Sequence, residues 1–110
     1  MSEEFIKLDG RDTEDPKLMY DLLDAYAMED VVKVLTKGAI KYSPNNWHKC
    51  KGKLRYYAAG MRHLEAWRKG EDLDNESGLP HLAHAMCCLM FISGLTRLHP
   101  DDDDRGDKDE

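Results

Sequence analysis

The chain of 110 residues suffices for one domain with a modest core and leaves no room for a second. Hydrophobic residues make up 41% and charged residues 35%, a globular balance. No apolar run approaches the roughly 20 residues of a bilayer span, so a soluble protein with no membrane partner is expected. The net charge of −6 informs only when divided along the chain: residues 101–110 carry seven acids and two bases, residues 1–30 ten acids and three bases, and residues 33–69 ten bases and one acid, Glu65.

Without its tail the body is close to neutral, which argues against a nucleic-acid surface. A basic middle beside an acidic loop suits a polyphosphate shared between side-chain cations and a metal. The same polarity would also let acidic and basic segments pair within an oligomer. The N-terminus has neither a basic leader nor an apolar core of the secretory kind. Cys50, Cys87 and Cys88 are odd in number and two are adjacent, which fits a reducing cytoplasm better than a disulfide framework.

Residues 1–17 mix charge with Gly10 and Pro16 and read as an extended arm; residues 18–98 read as the domain. From the N-cap candidate Asp24, Met28, Val31, Leu35 and Ala39 recur at helical spacing, predicting a first helix over 24–41. Gly38 inside it points to close approach by another helix or a ligand. The stretch Y-S-P-N-N-W-H-K-C-K-G, residues 42–52, is a loop. Its Trp47 is either an apolar plug or a stacking surface for a base.

A second helix over 53–69 follows from Leu54, Tyr57, Ala58, Met61 and Leu64, with Gly70 ending it. A different stripe, Tyr56, Gly60, His63 and Trp67, faces the acidic loop, and His63 there is either a core histidine or part of a site. The third helix is predicted over 77–97, with Pro80 tolerated in its first turn. Its core stripe is Leu82, Ala83, Met86, Leu89, Met90 and Ser93, and its nearly all-round apolarity makes it central. Residues 99–110 read as a disordered, solubilising tail.

The richest chemistry lies in G-E-D-L-D-N-E-S-G-L-P-H-L-A-H-A, residues 70–85, where Glu71, Asp72, Asp74 and Glu76 precede His81 and His84. Several carboxylates in one loop suit a hard cation such as Mg²⁺; acidic loops between helices are also commonly just solvated. His81, His84 and Cys88, with His63, are residue types that hold zinc, but their spacing has no C-x-x-C or H-x-x-x-H anchor.

Three composite motifs carry a resemblance over residues 20–96: G-A-x-K-Y-x-x-x-N-W, R-H-x-x-A-W-x-x-G-E and D-x-E-S-G-L-x-H-L-A-H-A. The chain resembles the phage dATP/dGTP diphosphohydrolase family, including its MazZ-type members, relatives of the MazG-like pyrophosphohydrolases. The resemblance implies an all-α, typically oligomeric fold, in keeping with the small bundle of about three main helices read from spacing, whose apolar third helix calls for completion by homo-oligomerisation. It also implies cleavage of a (deoxy)nucleoside triphosphate to monophosphate and pyrophosphate with Mg²⁺ or Mn²⁺ in the bacterial host cytoplasm. The E-x-x-E and E-x-x-D helix pairs that hold metal in MazG-like enzymes are absent: Glu29 is followed by Asp30-Val31-Val32-Lys33.

On this reading Glu71, Asp74 and Glu76 bind metal, and Glu71, Asp74 or His81 orients the attacking water. Lys41 and Arg62 neutralise phosphate charge, and Asn46, Trp47, His63, Trp67 and His84 complete the substrate site. The alternative is a non-catalytic module that sequesters a nucleotide or docks on a host protein. It would use the same cations and tryptophans without needing the acids.

Overall fold

The computed structural model describes residues 16–106. The expected arm lies almost wholly outside that range, as do residues 107–110. The described chain is all-α: α1 spans Ala25–Lys41, α2 spans Leu54–Arg68 and α3 spans His81–Leu98. Single 3-10 turns occupy Tyr20–Leu22 and Asn46–Lys49. Among the described residues no strand forms, only an isolated bridge between Leu73 and Pro80.

Local chemistry sets the helix ends. The Asp24 carboxylate accepts from the Ala27 amide at 2.8 Å, which satisfies one of the unpaired donors at the start of α1. At the end of α2, Gly70 adopts φ +102, its amide bonds Trp67 O, and the next amide, from Glu71, bonds Ala66 O. That pair of bonds is the Schellman motif, and the left-handed position it needs favours glycine. The third helix begins at His81 rather than Ser77. Gly78 at φ +73 and the Asp74 N to Leu79 O bond of 2.8 Å close residues 74–79 into a loop that cannot be helical.

As the sequence predicts, α3 is central, with both α1 and α2 packed against it. By length and composition alone it is apolar enough to cross a membrane, but here it is the core helix. Val31, Ala83 and Cys87 form the buried cluster toward α1, flanked by Met28, Val34, Leu35 and Phe91. Leu95 is wholly buried; burial of such a side chain contributes about 1.5–3 kcal/mol.

Of the expected α3 stripe Ala83 is buried as predicted, but most of the other expected positions on α2 and α3 are not. Gly60, Ala83, Ala85, Cys87, Cys88 and Leu95 are buried, whereas Leu54, Tyr57 and Met61 of α2 and Leu82, Met86, Leu89 and Met90 of α3 are exposed. The helices meet through small residues instead: a Cβ added at Gly60 would stand 3.2 Å from the Cys88 Cβ. Gly38, by contrast, has nothing among the described residues within 4 Å of such a Cβ, so none of the described helices approaches it; it lines an open cleft.

The segment read as a tail also makes a contact. The Asp104 carboxylate accepts from the Lys53 and Leu54 amides at 3.0 and 3.2 Å, supplying from a distance the cap that Lys53 lacks at the start of α2.

Candidate functional site

The site is built where the loop 70–80 folds over the start of α3. Asp74 anchors the loop: its carboxylate accepts from the Ser77 amide at 2.8 Å, and its carbonyl accepts from the Gly78 amide at 2.7 Å. Ser77 turns its hydroxyl inward, where Oγ accepts from the Leu79 amide and shares a 2.7 Å hydrogen bond with His84 Nε2. Pro80 caps α3 with its carbonyl, which accepts from the Ala83 and His84 amides. The turn therefore sets His81 and His84 one helical turn apart, beside Asp74.

Three imidazoles meet here. His63, from α2, has its Nδ1 2.9 Å from His81 Nδ1, and its ring stacks on His84 at 4.5 Å with an interplanar angle of 10°. Ligand atoms of His63, Asp74 and His81 all lie within 4.8 Å of one another. His81 is 5% exposed, and its Nε2 is buried without a hydrogen-bond partner among the described residues. Glu71 Oε1 stands 3.2 Å from that nitrogen but outside hydrogen-bonding geometry.

Electrostatics follow from this crowding. Burial holds the His63 imidazole below the ordinary histidine value, and His84 and His81 beside it lower it further. Burial likewise lowers His84, against the opposing pull of Asp74. Burial pushes the Asp74 carboxyl upward, but the hydrogen bonds from Ser77 and the nearby imidazoles outweigh it and leave the group below its usual range. The arrangement is a carboxylate held in its charged form beside two imidazoles, His63 and His84, whose surroundings favour the neutral form.

His63, Asp74, Glu76, Ser77 and His84 form one wall of a cleft of ≈ 1270 Å³. The C-terminal half of α1 and the loop after it form the opposite wall, with Lys37, Lys41 and Asn46. Arg55, Tyr56, Trp47 and Phe91 close the cleft's far end. Lys41 Nζ reaches Glu76 Oε1 at 3.5 Å, and Lys37 donates to the Ser77 carbonyl, so the loop is tied across to α1.

Of the residues singled out from sequence, Lys41, Asn46, Trp47, His63, Asp74, Glu76 and His84 line this cleft. His81 and Glu71 stand behind it. Arg62 and Trp67 are exposed and do not line it. The three carboxylates expected to share a metal face three different partners: Glu71 the His81 ring, Asp74 the Ser77 amide, and Glu76 Lys41. As placed, they do not make the oxygen cage a hard cation needs. Trp47 is packed as a plug, stacked on Phe91 at 4.9 Å and filling the space a Cβ on Gly94 would take.

Sequence reasoning passed over Lys37, Arg55 and the role of Ser77. A signal for Ser77 existed: Asp-x-x-Ser ahead of glycine is a pattern in which the aspartate bonds the backbone three residues on. Lys37 and Arg55 carry no local signal, because only the packing of α1 and α2 on α3 brings them to the cleft.

Fold and site together define a small all-α domain with a histidine–carboxylate cluster on one wall of an open, lysine-lined cleft. The chain belongs to the dATP/dGTP diphosphohydrolase N-terminal domain family, whose pattern it matches over residues 7–105. It is 40% identical over 89 residues to a protein of Salmonella phage PMBT28 named dATP/dGTP diphosphohydrolase. That match takes in 81% of this chain but 30% of the phage protein, so the chain spans under a third of the relative's length. No solved structure matches it.

Proposed function

We propose that the cleft hydrolyses purine deoxynucleoside triphosphates, dATP and dGTP, to monophosphate and pyrophosphate in the host cytoplasm. The name of the phage relative supports the substrate class. The observation that carries the reading is the cleft itself, lined by the cations Lys37, Lys41 and Arg55 together with His63, Asp74 and His84; phosphate oxygens would compete with Glu76 and the Ser77 carbonyl for the two lysines. Phosphoryl transfer asks mainly for positioning and charge. A water attacks the α-phosphorus and pyrophosphate leaves. The depressed affinity of His84 and His63 for protons keeps either ring neutral and able to accept the water's proton. Mg²⁺ or Mn²⁺ enters with the triphosphate as part of the substrate, and the aromatic end of the cleft offers the purine an apolar wall.

The test is a panel of nucleoside triphosphates with Mg²⁺ or Mn²⁺, with products resolved by ion exchange. Monophosphate and pyrophosphate from dATP and dGTP, lost in His84→Gln, are expected. A second reading, a non-catalytic module that sequesters the nucleotide or docks on a host protein, draws on the fact that the chain spans only 30% of its relative. Saturable nucleotide binding with no product from any triphosphate would establish that reading in place of the enzyme.

The assembly belongs to the same proposal. Tyr57, Met61, Leu82, Met86 and Leu89 leave α2 and α3 with an apolar outer face, Tyr57 and Leu89 more than half exposed. Contiguous faces of this kind mark interaction surfaces. A second copy of the chain covers it, and light scattering should give at least twice the 12.7 kDa of one chain; a monomer at micromolar concentration would rule the assembly out.

A further inference from the structure

The three converging donors are not the set expected for Mg²⁺, and that mismatch is informative in itself. We propose that His63, Asp74 and His81 form a resident site for a borderline divalent transition metal of the Zn²⁺ type, separate from any Mg²⁺ carried by a nucleotide. The inference stands whether or not the cleft turns a nucleotide over.

Donor chemistry comes first. Two imidazole nitrogens and one carboxylate oxygen favour Zn²⁺, Co²⁺ or Ni²⁺ over Mg²⁺, which prefers oxygen ligands and gives up its water reluctantly. The donors come from three separate segments, α2, the loop and α3, and still fall within 4.8 Å of one another. The His63 and His81 Nδ1 atoms face each other at 2.9 Å, so a single proton lies between them. Two ligand nitrogens on a tetrahedral zinc stand about 3.3 Å apart, so a metal replaces that proton with only a small opening of the pair.

The surroundings match as well. A metal-bound histidine commonly donates its other ring N–H to a carboxylate, which fixes the tautomer. Among the described residues His81 Nε2 is buried with no hydrogen-bond partner, and Glu71 Oε1 is the carboxylate beside it at 3.2 Å. A slight shift of the exposed Glu71 side chain closes that bond, leaving Nδ1 as the free donor. Asp74 is aimed by the Ser77 amide. Three protein ligands leave a fourth position open, the pattern of a catalytic rather than a structural zinc. Because His63 and Asp74 line the cleft, that position faces it.

The experiment is a titration of the chelator-stripped full chain with Zn²⁺, read by calorimetry and thermal melting, with Co²⁺ as a spectroscopic probe. Expected are one Zn²⁺ per chain, a raised melting temperature that Mg²⁺ at equal concentration does not reproduce, and Co²⁺ absorption bands of nitrogen–oxygen ligation. His63→Gln and Asp74→Asn should weaken Zn²⁺ binding at least 100-fold. Should either variant fail to fold, Glu71→Gln changes only an exposed residue behind His81 and should still cost about tenfold, whereas His48→Gln, away from the cluster, should cost nothing. An equal shift with Mg²⁺, no Zn²⁺-induced shift, or undiminished binding in Glu71→Gln and Asp74→Asn would overturn the proposal. Turnover is scored separately, so a failed hydrolase reading leaves this result standing.

Discussion

The two ends of α3 are closed in opposite ways. At its C-terminal end Gly94 receives the Trp47 ring, Trp47 stacks on Phe91, Tyr56 meets Phe91 edge-on at 5.1 Å, and Leu95 is fully buried. At its N-terminal end the same helix sets its own His81 and His84 against Asp74, Ser77 and the His63 of α2, and the His81 Nε2 is buried with no partner among the described residues. Apolar packing lowers free energy roughly with the area buried, whereas a buried polar group without a partner costs it. One end of the helix holds the fold, and the other carries reactive groups that the first end's stability keeps in place.

Breaking the apolar end should therefore have the largest effect on stability. Leu95→Ala leaves a cavity at a site with no solvent exposure, and a loss of about 2–5 kcal/mol is expected, measured by urea unfolding. Gly94→Ala tests the same end by overfilling it. The new Cβ would stand 2.5 Å from the Trp47 ring, and a loss of about 1–3 kcal/mol should follow as the indole is displaced. If Gly94→Ala is silent, Trp47 is not the plug described.

The polar end should respond in the reverse way. Asp74→Asn keeps the shape of the side chain and an oxygen for the Ser77 amide, so in the chelator-stripped protein the unfolding free energy should change by less than about 1 kcal/mol. Nucleotide turnover should fall by at least two orders of magnitude. Were Asp74→Asn to unfold the protein as severely as Leu95→Ala, the contrast between the two ends would be void.

How much of this was legible beforehand depends on the distance over which each feature is encoded. Helix ends governed by neighbours, such as Asp24 capping Ala27 or Gly70 ending α2, could be read to within a residue. The α1 stripe of Met28, Val31 and Leu35 also packs as its spacing predicts. The stripes of α2 and α3 were right at Ala83 but wrong at most other positions, because periodicity finds an apolar face without saying what covers it: Tyr57, Met61, Leu82 and Met86 are apolar yet exposed, while Gly60 and Cys88 make the contact. The acidic loop drew the eye through its charge, but its carboxylates disperse, and the convergence of His63 with His81 depends on packing across 18 positions of sequence.

Cysteine chemistry offers a finer probe of the apolar side. Burial pushes the Cys87 thiol up to about 11, and the thiolate is the reactive form. At pH 8 iodoacetamide should modify the partly buried Cys50 first and leave the buried Cys87 intact in the folded protein, as read by mass spectrometry; equal labelling would show that the α1–α3 contact opens readily.

The smallest expected effect lies outside both clusters, at the start of α2, where Asp104 supplies the cap. Gly52 makes room for it: a Cβ there would come within 2.6 Å of the Asp104 carboxylate. The charge also faces the positive end of the α2 dipole. Asp104→Ala, or removal of residues 101–110, should lower the melting temperature by a few degrees, contrary to the expectation that a charged tail packs against nothing. The sign of the pH dependence is fixed by the Lys53 and Leu54 amides, which hold the Asp104 carboxyl below its ordinary value of 3.8. A depressed carboxyl stabilises the folded state above the unfolded value and loses that contribution as pH falls through the folded one. The difference in melting temperature between the parent chain and Asp104→Ala should thus be constant from pH 5 to 7 and shrink below about pH 4. A difference that persists at pH 2.5 would mean that the contact stabilises through packing rather than through the carboxylate's charge.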